Sequence, residues 1–139
     1  MTGDDLIQQF EDGTTRADTF HHADHIRLAF EYLSRCSVLE ALQRFPDALR
    51  RFAAAQGKAE RYHETITWAY LLLIHERMAR ASCGQQCRVQ TWEEFAAHNP
   101  DLFLWKGGVL NALYRQETLD SDLARHTFVL PDRSISQGL

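Results

Sequence analysis

Three histidines fall on positions where imidazoles could share one metal ion. His22 and His25 are three residues apart, so on a helix they lie on one face with their Cβ atoms roughly 5–6 Å apart. His63 opens the most apolar stretch of the chain. Three imidazoles with an open coordination position are typical of catalytic zinc and non-haem iron sites. The pattern therefore predicts a divalent metal, zinc or iron, held by His22, His25 and His63.

Polar residues on the same helix as His63 extend the predicted site. Glu64 is placed to serve as a general base, or as a fourth ligand, if the metal activates a water molecule. Thr67, Tyr70 and Arg77 lie along the face that carries His63, so we expect them to contact a bound small molecule. An arginine at such a position more commonly forms an ion pair with a carboxylate of the same protein, and this is the alternative role for Arg77.

The alternative is that the three histidines are structural. A buried imidazole is costly unless it is hydrogen-bonded, and backbone carbonyls or hydroxyls supply such bonds in many cores. The protein would then be a non-catalytic helical domain that binds a small ligand or a protein partner. Metal-dependent enzyme and binding domain are both open at this point. Cys83 and Cys87 are separated by three residues rather than two, which favours incidental thiols over a zinc or redox motif.

The elements that must position these residues are helices almost throughout. Apolar residues recur with the helical period over 20–35 and again from Ser37, a predicted N-cap, to about Gly57. Pro46 is expected to kink or locally break this second helix. A third helix, about 59–81, is apolar on nearly every side and belongs in the middle of a bundle.

The C-terminal third predicts shorter helices. Thr91 and Glu94 have capping-box spacing, which predicts a short helix that ends at His98. Further helical turns follow from Pro100, over 110–114 and after Ser121, before an extended tail over 128–131. Alternating β-branched runs are nearly absent. The sequence therefore predicts one all-α domain over 1–139, a bundle of four to six helices around a central apolar helix.

Composition excludes several classes of partner. The chain has 139 residues, a net charge of −4 and no basic run, which argues against nucleic-acid binding. Its longest apolar stretch, 68–74, is far shorter than the roughly 20 residues that span a bilayer. The N-terminus lacks the pattern of a secretory signal, and three cysteines are an odd count. We therefore expect a cytoplasmic protein with reduced thiols, whose partner is neither a nucleic acid nor a membrane.

Two sequence blocks resemble a known group of proteins. These are F-x-H-x-x-H at 20–25 and Y-H-E-T-x-T at 62–67, and they are similar to blocks in a family of small, uncharacterised helical bacterial proteins. The similarity covers roughly residues 20–75. It implies a helical fold and favours His22 over His21 as the working residue. It implies no reaction, because the family has no established activity.

Overall fold

Eight α-helices form the described part of the chain, which comprises residues 2–16, 18, 20–84, 90–104 and 108–133 of a computed structural model. Two 3₁₀ turns, Ala59–Arg61 and Pro100–Phe103, connect neighbouring helices. The α-helices are α1 (Gly3–Glu11), α2 (His22–Arg35), α3 (Val38–Ala55), α4 (Glu64–Gly84), α5 (Trp92–His98), α6 (Val109–Leu113), α7 (Gln116–Leu119) and α8 (Asp122–His126).

The predicted all-α fold is confirmed, since these residues contain no strand. The number of helices in them is eight rather than the predicted four to six. The difference lies in the C-terminal third, where α6, α7 and α8 are only four or five residues long. Helices this short cannot be stable alone and depend on packing against the rest of the domain, which sequence periodicity does not reveal.

Helix α4 is the central helix, as its apolar sequence predicted. It packs against α2, α3 and α8, and buried side chains occur on several of its faces. No helix within the described residues combines the length and the apolarity needed to cross a membrane. The buried side chains of α4 are Thr65, Thr67, Ala69, Tyr70, Leu71 and Ile74.

Side-chain caps fix where several helices begin. The hydroxyl of Ser37 accepts the backbone N–H of Glu40 at 3.1 Å, and α3 starts at the next residue as predicted. Thr91 and Glu94 form the predicted reciprocal capping box of α5. Helix α2 begins at His22, two residues later than the helical period predicted.

Helix α3 runs without a break through Pro46. The predicted local break at this residue is therefore absent, and the alternative, a kink, stays a prediction. Pro46 is fully buried, and Phe45 and Ala48 on the same helix also belong to the buried core. The resulting burial outweighs the single backbone hydrogen bond that a proline removes.

The residues after α8 form an extended segment that is fastened to the body of the domain. The hydroxyl of Thr65 donates to the carbonyl of Thr127 at 2.7 Å and accepts the N–H of Val129 at 3.1 Å. The ring of Phe128 stacks on Trp68 with 5.3 Å between ring centroids. These contacts confirm the predicted extended tail and tie it to the start of α4.

Candidate functional site

A cavity of about 1010 Å³ lies between α2, α3, the first two turns of α4 and the short C-terminal helices. This volume reaches the upper end of the range common for small-molecule sites. Each long helix contributes residues at spacings of three and four, because only one face of a helix points inward. His22, His25 and His63 all line this one cavity, as their inward positions predicted.

His63 caps the start of α4, and each of its ring nitrogens forms a hydrogen bond with a backbone group. Its Nδ1 accepts the N–H of Ile66 at 3.1 Å, so Nδ1 is unprotonated. Its Nε2 lies 2.7 Å from the carbonyl oxygen of Leu119, to which Nε2–H therefore donates. Burial lowers the pKa of His63, and this neutral tautomer is the one that both bonds require.

His22 is tied to the opposite side of the cavity. Its Nε2 lies 2.9 Å from the carbonyl oxygen of Leu102 and donates to it. The ring also meets the edge of the Tyr70 ring, with 5.3 Å between centroids. His22 thus links α2 to α4 and to the 3₁₀ turn that contains Leu102.

His25 faces the cavity with open hydrogen-bonding capacity. Its ring lies against Phe20, with 4.4 Å between ring centroids, and it makes no hydrogen bond with any described residue. Burial, assisted by the nearby His22, lowers the pKa of His25 to about 4. At neutral pH it is therefore an uncharged imidazole that offers one donor and one acceptor.

Tyr70 is the second cavity residue with an unused polar group. Its side chain is only 8% exposed, and its hydroxyl has no hydrogen-bond partner in the described part of the chain. Burial raises the pKa of Tyr70, so the phenol stays protonated and can donate. Thr67 lines the same wall, but its hydroxyl donates to the carbonyl of His63 at 2.8 Å.

Glu64 does not line the cavity, although it is adjacent to His63 in sequence. Its carboxylate accepts a short hydrogen bond from the hydroxyl of Tyr62 and lies 3.6 Å from the guanidinium of Arg50. Successive residues at the start of a helix point in different directions. The predicted general base is thus placed behind the wall rather than within it.

Arg77 also lies away from the cavity. Its guanidinium forms two parallel bonds to Asp101, at 2.7 and 2.8 Å, and a third to the side-chain oxygen of Asn99 at 3.1 Å. Arg77 thus forms the ion pair with a carboxylate that the sequence offered as its alternative role, and the carboxylate is that of Asp101. The pair ties α4 to the 3₁₀ turn after α5.

The donor set does not fit a three-histidine metal centre. A metal ligand needs a free nitrogen lone pair, whereas His63 uses its lone pair for the N–H of Ile66. Within the described residues, no three His, Cys, Asp or Glu side chains are grouped to hold a metal ion. His25 is the predicted ligand whose ring faces the cavity with no hydrogen bond to a described residue. Cys87 and the side chain of Cys83 lie outside the described part.

Sequence reasoning missed two parts of the cavity. Its apolar wall on α3 includes Leu49 and Phe52, which the helical period assigns to the core without indicating that they border a space. Its mouth includes Lys58 and Arg61, from the turn between α3 and α4. The basic character of that turn was the only available signal, because no periodicity governs a turn.

No protein-family model, no curated protein and no solved structure matches this chain. The resemblance to the small helical family accordingly stays a prediction.

Proposed function

We propose that the protein binds a small organic molecule in the cavity between α2, α3 and α4. The observation that carries the proposal is a large cavity lined by two polar side chains, half-buried His25 and buried Tyr70, that have no hydrogen-bond partner among the described residues. A hydrogen bond to such a group contributes about 0.5–1.5 kcal/mol net. A ligand with a polar atom near both rings would gain these bonds.

The remaining wall supports a ligand with an apolar body. Phe45 on α3 and Ile26 and Ala29 on α2 are almost completely buried, yet border the cavity. Burial of a ligand's apolar surface against them contributes roughly 25 cal/mol per Å² before the costs of association. Shape and apolar area would supply affinity, and His25 and Tyr70 would orient the ligand.

The test uses a neutral fluorescent probe, N-phenyl-1-naphthylamine, whose emission rises in apolar surroundings. We expect it to bind the wild-type protein in a saturable manner. Ala53→Trp should weaken binding, because Ala53 lines the cavity and an indole there would occupy part of the space between α3 and α4. Ala54→Trp is the matched control, since Ala54 is the exposed neighbour on the same helix.

Equal probe binding by the Ala53→Trp and Ala54→Trp variants would contradict the proposal, provided that both variants show the helical circular dichroism of the wild type.

Metal content gives an independent measurement for the three-histidine hypothesis. Protein purified without an affinity tag should contain no stoichiometric zinc or iron if the cavity takes an organic ligand alone. Stoichiometric metal that is lost on His25→Ala would favour a metal-dependent activity instead.

A further inference from the structure

The charges around the cavity indicate what kind of molecule enters it. We propose that the ligand is an anionic amphiphile, with an apolar body and an acidic headgroup such as a carboxylate. This proposal rests on the proposed function. The headgroup lies at the mouth, next to Lys58, Arg61 and Arg125, and the apolar body extends toward α2 and α3.

The exposed lining residues define the mouth. Lys58 and Arg61 are both exposed while they line the cavity. Gly57, with a φ of 69°, ends α3 in the left-handed conformation, and the chain turns there to bring these two residues to the opening. Neither side chain forms an ion pair with a carboxylate in the described residues.

The third cation of the mouth is held in place by the backbone. Arg125 on α8 donates from Nη1 to the carbonyl of Glu60 at 3.0 Å. This bond joins α8 to the turn that carries Lys58 and Arg61. Asp120 is the one carboxylate among the described residues that line the cavity, so three cations face one anion in that part of the lining.

This local surplus of positive charge is opposite in sign to the net charge of the whole chain, which is −4. A cationic opening in an acidic protein attracts anions and repels cations. The inner wall has the opposite character, since it is formed by side chains such as Ile26, Phe45 and Leu49. His25 is neutral at that depth, because burial keeps its pKa at about 4. A molecule that satisfies both regions is charged at one end and apolar at the other.

The test compares three molecules with the same ten-carbon body and different headgroups: decanoate, decanol and decyltrimethylammonium. Each is used to displace N-phenyl-1-naphthylamine from the protein. We expect decanoate to bind at least about 10-fold more tightly than decanol, and decyltrimethylammonium to bind more weakly than both. Added salt should weaken decanoate and leave decanol nearly unchanged.

Variants locate the headgroup. The double substitution Lys58→Gln with Arg61→Gln should bring decanoate affinity down to that of decanol, while decanol affinity stays the same. Arg80→Gln is the control, because Arg80 is an exposed arginine on α4 that does not line the cavity. It should leave the affinity of both molecules unchanged.

The two proposals fail in different ways. If decanol and decanoate displace the probe equally well in the wild type, the cavity binds ligands but the headgroup inference is wrong. If the neutral probe itself does not bind, or binds equally to the Ala53→Trp variant, the proposed function fails. If the double substitution weakens decanol as much as decanoate, the two cations act on the structure of the cavity, and the inference is overturned.

Discussion

The ring nitrogen Nδ1 of His63 accepts the backbone N–H of Ile66 at 3.1 Å. A helix begins with backbone N–H groups that have no partner within the helix, and an N-cap side chain satisfies one of them. His63 performs this role for α4, while its Nε2–H donates to Leu119. His63, one of the three predicted metal ligands, thereby forms a structural link between the central helix and α7.

Replacement of His63 by alanine should destabilise the protein without any metal being involved. The substitution leaves the N–H of Ile66 and the carbonyl of Leu119 without their partner in a buried place. We expect a loss of about 1–3 kcal/mol in the free energy of unfolding. Urea denaturation with added zinc and with a chelator should give the same loss.

His63→Asn is the matched variant, because asparagine is itself a good N-cap residue. It should recover part of the stability that alanine loses by accepting the N–H of Ile66. A wild-type protein that is stabilised by zinc, with an alanine variant as stable as the metal-free wild type, would contradict this assignment and support the metal hypothesis.

The sequence predicts the helices of this protein better than it predicts the site. Ser37 and Thr91 cap helices where their spacing to a glutamate predicted, since capping depends on residues only three apart. His63 and Glu64 are also adjacent, yet His63 lines the cavity and Glu64 contacts Tyr62 instead. The carbonyl that His63 contacts belongs to a residue 56 positions away, and no local pattern carries that information.

Tyr70 and Tyr114 offer a direct test of which buried hydroxyl is unpaired. The hydroxyl of Tyr114 donates to the carbonyl of Val129 at 2.6 Å, whereas that of Tyr70 has no partner in the described structure. Tyr114→Phe should therefore cost about 0.5–1.5 kcal/mol in the free energy of unfolding, and Tyr70→Phe close to none. Denaturant titrations of the two variants give the comparison. A Tyr70→Phe variant that loses as much stability as Tyr114→Phe would show that the Tyr70 hydroxyl is already satisfied.

Arg77 should contribute to stability and not to ligand binding. Its pair with Asp101 is bidentate but partly exposed, so Arg77→Met should lower the free energy of unfolding by about 1 kcal/mol or less. High salt should reduce the difference between variant and wild type. Affinity for N-phenyl-1-naphthylamine should not change. A weaker affinity at unchanged stability would restore the predicted ligand-binding role of Arg77.

His25 should make stability depend on pH in mildly acidic solution. Its pKa is lowered from 6.5 to about 4 in the folded protein, chiefly because it is buried, so between these values the unfolded chain binds a proton that the folded one does not. Stability is then fully present above about pH 6.5 and falls toward pH 4, by on the order of 1 kcal/mol per pH unit. His25→Gln removes the titrating group, and its free energy of unfolding should fall less steeply over the same interval. Urea denaturation at a series of pH values measures both slopes, and equal slopes would mean that the His25 ring is not shielded from water in the folded state.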